Sequence, residues 1–446
     1  MHPSTYRRSL PLLAAASLLL TPPRASLGQE APDETGAEAS AAVEPSAEAA
    51  PPDESETAAL RERITALEDR LELMEALAED AQAPPPTALP TFLNALNPRI
   101  TIFGNAVARA DTREVHAEGH GHGEEPAAGE EPLRIDNTFY LRETEIDFRA
   151  AVDPFVDGLI TLAIEGLPDG SFELHVEEAI VTLRRLPLPI LSDPPGGLVL
   201  RAGKMRAEFG KLNLMHTHDL PQTTRPLVHR TLVGEEGALG SGVSGSFFLP
   251  LDRLDEASTL QATIQLLGPQ LAGSENGTHL LGSLTWSRDL GASHRLELGG
   301  IVHHGFSPRF PELADDLTFG GELIYLWRPA GKSLHRGLIV GGQYLQSERP
   351  DEEVATARGF YGFVQGQLSR ELFAGLRYDQ SEAHHEEGWT RGLMPYVSWY
   401  PSEFFRLRLG YEQTFFGHGE PELGTLWFEL NVVFGSHPPH PYWVNR

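Results

Sequence analysis

The sequence predicts an all-β fold, a transmembrane antiparallel β-barrel of about 16 strands preceded by a short periplasmic coiled-coil helix. Three observations carry this expectation. An export signal is followed by no run of about 20 apolar residues, so a spanning helix is unavailable. Segments of roughly ten residues alternate apolar and polar positions. The connections between them fall into a long and a short class.

Arg7 and Arg8 precede the apolar run Leu10 to Leu20, and residues 1–28 read as a signal peptide cleaved near Gly28. Residues 29–56 are Ala, Pro and Glu without an aromatic side chain, and bury too little apolar surface to offset ordering entropy. They read as a disordered acidic linker. Residues 57–83 place Leu60, Ile64, Leu67, Leu71, Met74, Ala78 and Ala81 at alternating spacings of four and three, a coiled-coil seam. Arg63 and Arg70 at g positions face Glu68 and Glu75 at e positions of a parallel neighbour, which points to an oligomer. One amphipathic helix lying on the following domain is the competing reading. Pro84 to Pro86 end the helix, and residues 84–96 form a tether.

Residues 97–446 form the expected outer-membrane barrel. Its segments begin near Ile100, Asn137, Gly158, Phe172, Gly197, Gly242, Thr259, Leu280, Arg295, Leu317, Gly337, Gly359, Leu372, Thr390, Phe404 and Thr425. In one, Leu372, Ala374, Leu376 and Tyr378 share a lipid-type face, and Gly375, Arg377 and Asp379 a wet one. Another sets Phe405, Leu407, Leu409 and Tyr411 against Arg406, Arg408 and Glu412. The stretches ELHVEEAIVTLRRL and GLVLRAGKMRAEFG have no cleanly apolar face, as at a bulge, a subunit contact or a misplaced boundary. With the first strand running outward, the odd connections are long and the even ones, such as SREL and PSE, are short. Trp286, Trp327 and Trp399 each end an inward-running strand, where an interfacial girdle belongs. A soluble sandwich or propeller lacks reasons for the export signal and the two loop classes, and no internal repeat supports a propeller.

The chain has no cysteine, which excludes disulfides, iron-sulfur clusters and thiolate zinc sites. Acidic residues outnumber basic ones 63 to 35, so no nucleic acid is expected and cations are the likelier company. No nucleophile elbow, Walker loop or two-histidine helix is present in a meaningful context, so no enzyme is expected.

The stretch Gly203 to Pro250 and the closing NVVFGSHPPHPYW (Asn431 to Trp443) resemble bacterial outer-membrane porins of the phosphate-selective type, in the branch often labelled zinc-regulated outer-membrane receptors. The resemblance covers about the last three-quarters of the chain. It implies passive passage of small hydrophilic solutes or ions, outer-membrane lipid around the barrel, and a homotrimer, which an N-terminal coiled coil accompanies in that family. One departure matters. Phosphate-selective members line the pore with basic residues, whereas the wet faces here mix Glu143, Glu145, Asp147 and Glu412 with Arg149, Arg377, Arg406 and Arg408. Phosphate selectivity is therefore not carried over.

Most histidines fall in the odd connections or at strand ends beside them. His116, His120 and His122 in HAEGHGHGEE, His216 and His218 in MHTHD, and His384 and His385 in AHHEE would form an external rim of imidazoles beside carboxylates. Such a set suits zinc or another divalent metal, although no cofactor is required. Histidines that merely keep long loops solvated are the plainer explanation. The connection Lys211 to Ser241 is either a constriction, bringing His216, His218, Asp219, Arg225, His229 and Arg230 to the narrowest region, or an external loop in subunit contact. A channel and a non-conducting surface metal-binding protein therefore both stand.

Overall fold

The computed structural model describes residues 98–444, except 117–133, 167–169, 184–194, 251–254, 309–314, 330–334 and 436–440 and the single residues 270, 275, 386, 418 and 442. The signal peptide, linker, coiled coil and tether of the sequence reading lie outside the described residues, as do His120 and His122.

Sixteen strands follow in order: β1 (Arg99–Asp111), β2 (Phe139–Asp153), β3 (Val156–Gly166), β4 (Phe172–Leu183), β5 (Val199–Arg206), β6 (Leu239–Leu249), β7 (Ser258–Gly268) and β8 (Thr278–Asp289). Then come β9 (His294–Phe306), β10 (Asp316–Trp327), β11 (Gly337–Glu348), β12 (Thr356–Gln367), β13 (Leu372–Ser381), β14 (Thr390–Ser402), β15 (Phe405–Phe415) and β16 (Leu423–Gly435). Each expected start lies within three residues of an observed one. Every strand pairs antiparallel with its chain neighbours, and β1 pairs β16 from Thr101↔Gly435 to Asp111↔Thr425, closing the barrel. Closure is what lets strands cross hydrocarbon, because no sheet edge is left with unpaired peptide groups.

The outer face is apolar. Ile160, Leu174, Val243, Ile264, Leu284, Val302, Leu323, Val364, Leu376, Val397, Leu409 and Phe428 are all exposed on it. So continuous an apolar exterior fits lipid and would aggregate in water. Trp399 is exposed there, and Trp286 and Trp327 stand at the same parity as Leu284 and Leu323. Nearer the opposite end, Tyr344, Tyr378 and Tyr411 project outward, each donating its hydroxyl to the glutamine two residues on, Gln346, Gln380 and Gln413. Two aromatic belts around an even-stranded closed barrel are the architecture of the bacterial outer membrane.

The weak alternation of ELHVEEAIVTLRRL has a local cause. Thr161 faces Glu178 while Leu162 faces Val176, so Glu177 is an inserted residue, and Glu177 and Glu178 both turn into the barrel. A second bulge lies in β2, where Asn105 faces Glu143 and Ala106 faces Leu141. It turns Arg142 inward beside Glu143. A bulge breaks the two-residue period, and with it the sequence signal of a face.

Candidate functional site in the lumen

The connection between β5 and β6 folds inside the barrel. Asn213 closes its two stems, its amide nitrogen donating to the carbonyls of Ala207 and Ala238 and its oxygen accepting from the Ala238 N–H. Gly210 and Gly237 have φ of +97° and +88°, and a Cβ on either would run into the Gln343 or Asn213 side chain. Between them lies a short helix, α1 (Leu227–Leu232), which packs on β12 and β13. Phe209, Leu212, Leu220, Val228 and Leu232 are buried within the lumen. Of the two sequence readings for this segment, the inward one describes the fold.

Strands from far along the chain hold the loop. Arg142 donates to the Thr223 carbonyl at 2.7 Å, Arg408 to the Leu220 carbonyl at 2.7 Å, and Gln343 to the Phe209 carbonyl at 2.7 Å. His229 sits 2.6 Å from Gln343 Oε1, so its Nε2–H donates. Burial outweighs that bond and lowers the His229 pKa to about 3, leaving the imidazole neutral. Arg225, expected to line the pore, does not: it is buried and donates to the loop's own carbonyls, Leu212 and Met215. Burial, with Arg206 nearby, pulls its pKa down to about 9.

On the β13–β16 side stands an arginine wall. Arg377 donates to Asp379, to the Thr224 carbonyl and hydroxyl, and to Glu412. Arg408 donates to Ser398, to Glu429 and to Leu220, and Arg406 and Arg142 converge on the same Glu429. Arg230 of α1 reaches Glu412 at 3.0 Å, and Thr224 donates to Glu412 at 3.1 Å. These groups face inward as the strand parity predicts, but Arg377 and Arg408 are fully covered by the loop.

Next to it around the barrel, on the far side of β1, strands β2 and β4 present an acid–histidine wall. His216 Nδ1 lies 2.9 Å from Glu145 Oε2 and 3.0 Å from Glu177 Oε2, and its Nε2 lies 3.1 Å from Glu178. His218 Nδ1 lies 3.0 Å from Glu145 Oε1, and its ring stacks on Phe103. Arg206 pairs with the other oxygen of Glu177. Burial opposes a charge on His216, but the Glu145 carboxylate outweighs it and the pKa rises to about 10. Nearer the even connections, Asp147 accepts from Thr161 and Arg149.

The single histidine rim expected from the sequence is therefore corrected. His216 and His218 lie in the lumen, and His384 is buried with Nδ1 2.7 Å from the Val354 carbonyl. His116 and His385 are exposed. The same strands also carry Arg142, Glu177, Glu178, Arg206 and Glu429, which the sequence reading missed. Glu429 alternates with outward Phe428 and was legible by parity; Arg142, Glu177 and Glu178 were hidden by bulges.

After β16 the chain re-enters the barrel. Trp443 donates its indole N–H to the Asp219 carbonyl at 2.8 Å, and its backbone carbonyl accepts from the Gln365 amide at 3.1 Å. A cavity of about 40 Å³ remains between Trp443, Tyr400, Phe103 and His218, room for water.

No family model matches the chain. An uncharacterized protein of Aquifex aeolicus (strain VF5) is 27% identical over 374 residues, covering 73% of this chain and 72% of that protein. Among solved structures, the chain resembles OmpF of Salmonella typhi, in its complex with daunomycin, at 10% identity and a TM-score of 0.48, covering 76% of this chain and 99% of that one. It also resembles the outer membrane channel DcaP of Acinetobacter baumannii at 11% identity and a TM-score of 0.46, covering 76% and 97%. The barrel assignment itself rests on this chain's own strand pairing.

Proposed function

We propose that the protein is an outer-membrane porin that lets small hydrophilic solutes and ions diffuse passively, with a weak preference for cations. The observation that carries this reading is the inward loop, which narrows a closed barrel and is lined by an acid–histidine wall and an arginine wall. Separate clusters of either sign at a constriction orient a permeating solute, and an excess of carboxylates raises the local cation concentration.

A homotrimer is the assembly we favour. Lys204 stands on the outward face of β5, level with Ala179, its ammonium donating to the Val176 carbonyl. A charge there is better covered by protein than by lipid. Metal capture at the mouth belongs to the same reading, through exposed His116 and His385 with His120 and His122 beside them in sequence.

Planar-bilayer recording of purified, folded protein tests the reading. Stepwise single-channel currents are expected. Their absence would remove the porin reading and favour a non-conducting metal-binding protein.

A further inference from the structure

The acid–histidine wall holds more negative charge than its protein partners neutralise. Glu143, Glu145, Glu177 and Glu178 lie together against two imidazoles and Arg206, and Arg142 beside Glu143 is already engaged with Glu429 and the Thr223 carbonyl. Glu143 Oε2 has no hydrogen-bond donor although Glu143 is only 7% exposed, and both oxygens of Glu145 look only to the His216 and His218 imidazoles. A buried carboxylate oxygen left without a donor is costly, and a cation is what would relieve it.

We propose that this wall binds a divalent transition-metal ion of the zinc class, with His216 and His218 of the loop and Glu145 of β2 as ligands, flanked by Glu143 and Glu177. The site rests on the inward position of the loop, which the porin reading shares, and not on conduction.

Two ligand sets meet at Glu145: Glu143, Glu145 and His218, and Glu145, Glu177 and His216, each with its ligand atoms within 4.8 Å of one another. His216 Nδ1 faces two carboxylate oxygens at 2.9 and 3.0 Å, and one N–H cannot point at both. A metal at that nitrogen contacts both. With bonds of about 2.0–2.2 Å, tetrahedral ligand atoms stand about 3.3 Å apart, close to the 2.9 and 3.0 Å that separate His216 Nδ1 from its two carboxylate oxygens.

Outer partners already orient the ligands. Glu178 lies on the far nitrogen of His216, Arg206 grips the far oxygen of Glu177, and Phe103 stacks on His218. A carboxylate behind a ligating imidazole fixes its tautomer and raises its basicity. Two imidazoles favour zinc-like ions over calcium or magnesium, which take oxygen. A third set, Glu165, His175 and Glu236, is less buried and on the same side, with Glu165 directly across from Glu143. It gives ions a carboxylate-lined approach.

The test is a zinc chloride titration of the metal-stripped, folded full chain in detergent against a chromophoric chelator. His218→Gln and Glu145→Gln are each expected to weaken zinc binding at least ten-fold, and excess magnesium to leave it unchanged. Unchanged affinity in both variants, no binding by the parent protein, displacement by magnesium, or loss confined to a His116→Gln/His120→Gln/His122→Gln variant would each overturn the proposal. X-ray absorption at the zinc edge of the parent protein needs no variant: imidazole scattering supports the site, and an all-oxygen shell overturns it. Binding without single-channel currents would sink the porin reading and leave the site standing; currents without binding would do the reverse.

Discussion

The two walls of the lumen bury similar charges and reach different ends. On the arginine wall, Arg377 and Arg408 spend every guanidinium nitrogen on a carboxylate, a hydroxyl or a loop carbonyl. On the acid–histidine wall, four buried carboxylates share two imidazoles and Arg206, and Glu143 Oε2 has no donor. The first arrangement fixes the loop. The second keeps a charge in reserve for something that arrives from outside. Buried charge alone therefore does not tell scaffold from site; the balance of carboxylates against cations does, since single atoms such as Asp379 Oδ1 and Arg406 Nε lack a partner on the arginine wall too.

Substitutions on the two walls should differ in size and sign. Arg408→Leu removes the main partner of Glu429 and the donor to Leu220, and is expected to cost about 3–5 kcal/mol in reversible urea unfolding from lipid vesicles, because Glu429 would stay buried and underpaired. A loss below about 1 kcal/mol would show that the wall is not what fixes the loop.

The next effect is that of acid on α1. His229 has a pKa of about 3 when seated against Gln343, below the ordinary value of 6.5. Below pH 6.5 the released loop binds a proton that the seated one refuses, so seating is fully stable above that pH and weakens as pH falls towards 3. The loss at pH 5 is about 2 kcal/mol, readable as faster hydrogen exchange of residues 227–232. His229→Gln should flatten that dependence; an unaltered pH profile would assign it elsewhere.

Thr224→Val takes one hydroxyl from between Arg377 and Glu412 and should cost about 1 kcal/mol, with noisier open-channel current. The smallest effect is expected on the acid–histidine wall. In chelator, Glu143→Gln should change stability by less than about 1 kcal/mol or raise it, because it removes a charge from a surplus. A loss as large as that of Arg408→Leu would erase the distinction between the walls.

How much of this could be read beforehand follows the same physics. The strands were legible because lipid on one side and water on the other impose a period of two, as in Leu376, Arg377, Tyr378 and Asp379. The charged pairs Arg142–Glu143 and Glu177–Glu178 were not assigned to the lumen together, because an inserted residue puts neighbours on the same side. The direction of the β5–β6 loop was not legible either. It is decided by partners such as Arg408, 188 residues beyond Leu220, and by Trp443 from the chain's far end, and no local pattern encodes such contacts. The histidines shared that fate: MHTHD and AHHEE look alike as sequence, yet one enters the lumen and the other stays with the external connections.

The most direct measurement is the reversal potential in a salt gradient for the parent protein and for one neutralised residue from each wall. The account predicts a cation-preferring parent, a shift towards anions for Glu177→Gln, and a shift towards cations for Arg230→Gln. A clearly anion-selective parent, or two variants that shift the same way, would contradict it.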